Sequence, residues 1–267
     1  MEIAGFFGAL LMGISLGLIG GGGSILTVPI LVYLFHVEPV LATAYSLFIV
    51  GFTSLLGSSS HIKQHNIHWR TAMFFGIPSI ISVYLTRQFL VPLIPQEVFS
   101  LGDFLVTKSR LMLLVFAVLM VLASYSMIKP AKSIMTGRVE HVKYRHGLIL
   151  LEGLGVGMIT GLVGAGGGFL IIPALVLLAK LPMKKAVGTS LVIIGLKSLI
   201  GFMGDVNGNT AIDWKFLMVF TAIASVGIFL GSHFSKKVND DKLKPIFGYF
   251  VLIMGIYIVL KELVLNF

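Results

Sequence analysis

The sequence predicts an all-α polytopic membrane protein. Its two inverted-topology repeats each comprise a glycine-broken, re-entrant helical hairpin and three transmembrane helices. Three observations carry this expectation. The 267 residues are 57% hydrophobic and only 12% charged, with a mean hydropathy of +1.00. The chain holds eight long apolar stretches, and its two halves align without a gap at an offset of 144. A soluble surface needs roughly a quarter charged residues, so a water-soluble enzyme or a DNA-binding protein is excluded. With no cysteine there are no disulfides, thiolate zinc sites, iron–sulfur clusters or thiol catalysis.

A membrane-crossing helix takes about 20 mostly apolar residues. In chain order, the first apolar stretch, 3–35, is too long for one simple span and is interrupted at Gly20-Gly21-Gly22-Gly23. The segment Met1–Phe7 lacks the basic region of a secretory signal, so this stretch is expected to stay in the membrane. Spans follow at 39–58, 70–93 and 111–128, and then the strongly polar segment 129–146. The second long stretch, 147–179, breaks at Gly164-Ala165-Gly166-Gly167-Gly168, and spans follow at 183–203, 214–233 and 245–264. Three parts result: an N-terminal membrane repeat at 1–128, a basic cytoplasmic connecting loop at 129–146 and a C-terminal membrane repeat at 147–267.

In the internal alignment 19 of the 45 pairs between positions 13 and 57 are identical, including Pro29 with Pro173 and Ser46-Leu47 with Ser190-Leu191. After a one-residue shift Trp69 meets Trp214, the only other tryptophan. Shared apolar composition does not co-place glycine clusters, prolines and both tryptophans. Repeats of this kind characterise secondary transporters, with parallel or inverted halves. The charges choose between these. If each broken stretch turns back to the side it entered, 14 of the 20 lysines and arginines fall on one side, in 59–70, 129–146, 180–185 and 234–244. Cytoplasmic loops are rich in lysine and arginine, so that side is expected to be cytoplasmic. Three full spans per half then invert the second half relative to the first. The net charge of +9 thus reports orientation in a cytoplasmic (inner) cell membrane before it reports any partner, and no nucleic acid is implied.

Glycine at this density breaks a helix, and open backbone inside a membrane is tolerated only where it is buried or lines a cavity. A helix restarting at Ser24 or at Phe169 directs its unpaired N–H groups and positive dipole end toward the glycines, which attracts an anion. Inverted halves bring two such ends together near the midplane. No lysine follows Gly23 as a nucleotide-binding P-loop requires. The outer pairs Gly13/Gly17, Gly153/Gly157 and Gly157/Gly161 have the spacing of helix-packing glycines.

Two copies of Gly-x-x-Gly-x-Gly-Gly-(Gly/Ser)…Pro, at Gly17–Pro29 and Gly161–Pro173, are each followed by Ala-x-x-x-Ser-Leu and then by a tryptophan. The second landmark reads Ala42-Thr43-Ala44-Tyr45-Ser46-Leu47 and Ala186-Val187-Gly188-Thr189-Ser190-Leu191. Over nearly its whole length the chain resembles the TauE/SafE family of sulfite exporters. The resemblance implies an integral membrane permease for a small sulfur-containing anion such as sulfite or an organosulfonate. Thr43 stands two residues earlier than its counterpart Thr189, a departure from strict symmetry.

Lys197 lies mid-span, where the first half has Thr53. A charge there costs at least a few kcal/mol and normally faces protein or a watery cavity; snorkelling to a headgroup is the competing role. The candidate substrate-binding residues are Gly20, Gly21, Gly22, Gly23 and Ser24 at the first break, and Gly164, Gly166, Gly167 and Gly168 at the second. Tyr45, Ser46, Thr189, Ser190 and Lys197 complete the set. Serine and threonine hydroxyls also bond their own helix carbonyls. Glu152 suits the cytoplasmic interface, and Trp69 and Trp214 suit interfacial anchoring. His61, His65 and His68 have no acidic or cysteine partner nearby in sequence, so no metal site is expected. Without a nucleophile–base pair in the spans no catalytic residue is expected, and no cofactor. The expected partners are a small anionic substrate, the lipid bilayer and a coupling proton or ion, with homo-oligomerisation left open. An anion channel and a non-transporting membrane scaffold or assembly protein remain the alternatives.

Overall fold

The computed structural model describes residues 2–101, 104–128, 146–177, 179, 181–206, 212–234 and 240–265. The connecting loop, 129–146 in the sequence division, lies outside the described residues except for His146. The first half comprises α1 (Glu2–Ile19), a 3₁₀ turn (Gly21–Leu26), α2 (Thr27–Leu34), α3 (Pro39–Lys63) and α4 (Trp69–Leu85). A π-helical turn (Thr86–Leu90) and the short α5 (Val91–Leu93) extend α4. A hairpin of β1 (Glu97–Leu101) and β2 (Phe104–Thr107) then leads into α6 (Lys108–Ile128). The second half runs α7 (His146–Val163), α8 (Gly168–Leu177), α9 (Met183–Val206), α10 (Trp214–Phe234) and α11 (Asp240–Leu260). Among the described residues five helices are long and apolar enough to cross a membrane, and the chain is an all-α polytopic membrane protein. The small β hairpin is an addition to the helices expected from sequence.

Both long apolar stretches are broken where the glycines cluster. Gly20 has φ +77°, and Gly164, Gly166 and Gly167 have φ between +66° and +72°, a region closed to most other residues. The helical restarts differ slightly from expectation. In the first half the chain passes through the 3₁₀ turn and becomes α-helical only at Thr27, not Ser24; in the second α8 starts at Gly168, one residue before Phe169. The Ser24 hydroxyl donates to the Gly21 carbonyl at 2.7 Å, a tight i−3 bond of the 3₁₀ turn. Beyond the first break the chain doubles back. Phe35, just past α2, stacks edge-on against Phe6 near the start of α1, with ring centroids 5.1 Å apart.

Helix packing follows the small residues. Gly13 and Gly17 of α1 lie against Ala224, Gly227, Ile228 and Gly231 of α10, so these two helices run parallel. Gly153, Gly157 and Gly161 of α7 lie in the same way against Phe75, Ser79 and Val83 of α4. A Cβ added at Gly13 would stand 2.1 Å from the Ala224 carbonyl oxygen, and one at Gly157 2.5 Å from that of Ser79. Such close backbone approach is how membrane helices gain contact without a hydrophobic drive. The repeat partners α3 and α9 instead cross antiparallel, Gly51 against Leu199 and Gly195 against Leu55. The partners α6 and α11 also run antiparallel, Gly255 against Met120 and Gly248 against Ile128.

The helices pack around a core that includes Met12, Leu31, Leu47, Phe116 and Phe220, while Phe74, Ile81, Leu122, Phe229 and Ile253 are exposed on the outside. Such an apolar exterior suits lipid contact. At the β-hairpin end Glu262 accepts from the Tyr33 hydroxyl at 3.3 Å and pairs with Arg110 at 3.8 Å, tying α2 to α6 and to the π-helical turn (Lys261–Leu265) that follows α11. At the other end His68 caps α4, its Nδ1 accepting from the Thr71 N–H at 3.2 Å. Desolvation, with Lys185 and Arg70 nearby, holds that imidazole below its ordinary pKa. This favours the neutral form that the cap requires.

Candidate functional site

The two glycine breaks touch. A Cβ built on Gly21 would lie 2.3 Å from the Gly168 Cα, and one on Gly168 would lie 2.1 Å from the Gly21 Cα. The ends of the breaks diverge. Gly20 packs on Val187 at the start of α9, whereas its equivalent Gly164 packs on Thr43 at the start of α3. Gly22 is buried inside the 3₁₀ turn, and Gly23 lies against the backbone of Leu16 in α1.

Lys197 reaches this junction from the middle of α9. Its side chain is fully buried, and its Nζ donates to the Thr160 Oγ1 of α7 at 2.9 Å. The same Nζ is 3.0 Å from where a Cβ of Gly167 would sit, so the ammonium rests against the second break. Among the described residues no carboxylate lies within ion-pair distance of it. Just beyond Gly167, α8 begins at Gly168, and a helix start carries partial positive charge. The Lys197 amine and a helix N-terminus therefore converge on one buried place, which favours an anion when the lysine carries its proton. Snorkelling is ruled out for Lys197 in this conformation, because its amine turns inward to Thr160.

The antiparallel crossing separates other candidates that the repeat makes equivalent. The Tyr45 hydroxyl accepts from the Asp213 N–H at 2.6 Å, next to the start of α10. The Thr189 hydroxyl accepts from the His68 N–H at 2.9 Å, next to the start of α4. These are opposite ends of the bundle. The antiparallel register of Gly51 with Leu199 and of Leu55 with Gly195 sets Tyr45 opposite Asp205, sixteen residues or about 24 Å along α9 from Thr189, so one small anion cannot touch both Tyr45 and Thr189. Ser190 donates to the carbonyl of Val187 at 2.8 Å, the local bond that competes with ligand contact. Ser46, Ser54 and Ser198 have buried hydroxyls with no hydrogen-bond partner among the described residues.

Two features were not singled out from sequence. The first is Thr160, whose repeat equivalent is Leu16, just as the equivalent of Lys197 is Thr53. The halves disagree at both positions and the two departures meet in space; a search for polar residues that break the repeat finds them. The second is the buried pair of Arg87 and Asp205, with Nη1 and Oδ1 3.4 Å apart. Arg87 sits in the π-helical turn after α4 and is 1% exposed. No periodicity marks such a turn in advance.

A bundle of apolar helices in which two glycine-broken segments meet beside a buried lysine is consistent with a polytopic transporter. The family model described as "Sulfite exporter TauE/SafE" matches residues 5–258, and the chain belongs to that family. A relative from Xylella fastidiosa named "Probable membrane transporter protein" is 28% identical, over 94% of this chain and 92% of the relative. One from Methanocaldococcus jannaschii with the same designation is 27% identical over 94% and 92%. "Probable membrane transporter protein YunE" of Bacillus subtilis is 28% identical over 89% and 90%. No solved structure matches the chain. Family and relatives together make this a multi-pass membrane transporter.

Proposed function

We propose that this chain is a secondary transporter that carries a small sulfur-containing anion, such as sulfite or an organosulfonate, across the cytoplasmic membrane. The observation that carries this reading is the buried Lys197 ammonium, bonded to Thr160 and without a carboxylate, where the two glycine breaks meet. The anion binds near the midplane against Gly21, Gly167, Gly168 and Lys197. Halves 1–128 and 147–267 rock about this place, powered by a proton or ion gradient or by the substrate's own gradient. The antiparallel crossing of α3 and α9 supports inverted halves. The basic segment 129–146 then lies in the cytoplasm with the start of α9, and the β hairpin faces outward.

Two measurements test the reading. In proteoliposomes, flux of labelled sulfite or an organosulfonate should saturate and should be accelerated by unlabelled substrate on the opposite side. Large single-channel currents would instead make the protein a channel. The native chain has no cysteine, so single cysteines report topology directly. A cysteine replacing the exposed Lys184 should react with a membrane-impermeant maleimide only from the cytoplasmic side, and one replacing Gln96 only from outside. External labelling at position 184 overturns the orientation.

A further inference from the structure

Arg87 uses only part of its guanidinium on the protein. Its Nη1 donates to the Thr43 Oγ1 at 3.0 Å and to the Asp205 Oδ1 at 3.4 Å. Its Nε and Nη2 are buried and have no hydrogen-bond partner among the described residues. These two nitrogens form one edge of the guanidinium, with parallel N–H bonds spaced to meet two oxygens of a single anion. An arginine retained only to tie α4 to α9 would turn that two-donor edge toward Asp205, because the bidentate pairing is the stronger one. Here Asp205 meets the other nitrogen and shares it with Thr43, so the two-donor edge stays unpaired among the described residues.

The surroundings are built for a ligand at this end of the bundle. The Arg87 Cβ comes within 2.9 Å of where a Cβ of Gly204 would lie, so the absence of a side chain there admits the arginine. Thr43, which holds Nη1, packs directly on Gly164 of the second break. The buried Lys108 at the start of α6 adds a second cation close enough to interact with Arg87, Asp205 and Glu38. Glu38 is occupied by the Leu41 N–H and the Ser109 hydroxyl. Along α9 Asp205 lies eight residues beyond Lys197, about 12 Å of helix rise toward the β-hairpin end.

We propose that the Nε–Nη2 edge of Arg87 is a second, oxyanion-selective binding site at the β-hairpin end, separate from Lys197. It takes a group presenting two oxygens, as sulfite, sulfonates and carboxylates do, and it passes over a halide. The proposal rests on the transport reading above and supplies an outer stage of the same route. A single halide meets the two parallel donors only in part, whereas two oxygens of one anion satisfy both at once.

The test uses the purified full chain and thermal stabilisation by methanesulfonate, acetate and chloride, since a binder of the folded state raises its melting temperature. Lys197→Met should retain a weakened but saturable response to methanesulfonate and acetate, with chloride at least tenfold less effective. Adding Arg87→Lys, which keeps the charge beside Asp205 but lacks the fork, should remove that residual response. If the double variant does not fold, the anion selectivity of Lys197→Met alone decides. A Lys197→Met protein that ignores all three anions, or responds equally to chloride, overturns the second site while leaving the midplane site intact. A double variant that still responds like Lys197→Met also overturns it. A wild-type protein unresponsive to every anion sinks the underlying transport reading instead.

Discussion

Lys197→Met is expected to end substrate flux in proteoliposomes and to weaken oxyanion affinity by 30-fold or more, while the protein still folds. The ammonium is fully buried, holds one hydrogen bond to Thr160, and has no carboxylate beside it among the described residues. In the empty protein such a charge is a liability, since burial of an unpaired ion costs several kcal/mol. Methionine has similar length, is apolar and suits an irregular core gap. The empty variant should therefore melt at the same temperature as wild type or higher. When the anion is bound the sign reverses. Removing one partner of a buried charge pair typically costs about 2–5 kcal/mol, which corresponds to the loss of affinity stated. Thr160→Val should weaken binding far less, because it removes the positioning hydroxyl and keeps the charge. A Lys197→Met protein that transports normally at several substrate concentrations removes the midplane site. One that melts well below wild type without ligand makes the lysine structural.

Gly168→Ala is expected to cause the largest loss of folded protein. Its new methyl group would lie 2.1 Å from the Cα, 2.3 Å from the carbonyl oxygen and 2.4 Å from the carbonyl carbon of Gly21. These are backbone atoms, which cannot swing aside as a side-chain end does, so the two breaks must separate. Overpacking costs roughly 1–3 kcal/mol even where side chains yield, and this substitution should reach or exceed the upper end. Gly21→Ala meets Gly168 and Ile194 and should behave alike. Once either methyl has parted the breaks the second adds less, so the double variant should fall short of the sum. Gly155→Ala is the control. Nothing stands within 4 Å of its added Cβ, and it lies inside α7, where alanine is the better helix former. Equal melting temperatures and equal monodisperse yields for Gly168→Ala and Gly155→Ala would refute the contact.

Much of this was legible in the sequence because membrane helices announce themselves by length and the repeat pairs their landmarks. The spans, both breaks and the oddity of Lys197 opposite Thr53 all follow from patterns that survive without coordinates. The packing role of Gly13, Gly17, Gly153, Gly157 and Gly161 was legible for the same reason, and each faces a partner helix. What sequence did not disclose depends on how two helices cross. Alignment treats Tyr45 and Thr189 as equals, and antiparallel packing sends their hydroxyls to Asp213 and His68 at opposite ends. Nothing in the sequence marks Arg87, which the π-helical turn brings to Thr43 and Asp205. The β hairpin, 97–107, is too short to leave a clear alternation.

The crossing of α3 and α9 also bears on the energetics of a rocking carrier. If the two halves were chemically identical, exchanging their roles would turn an inward-open conformer into an outward-open one of equal energy. The resting population would then be split evenly. Each position where the halves differ lifts that degeneracy. Thr53 is satisfied by its own helix, donating to the Ile49 carbonyl at 2.6 Å, whereas Lys197 reaches across to α7. Under the proposed rocking mechanism, that difference would weight one conformer over its two-fold-related counterpart, and the near-symmetry of the scaffold would make the weighting depend on very few side chains.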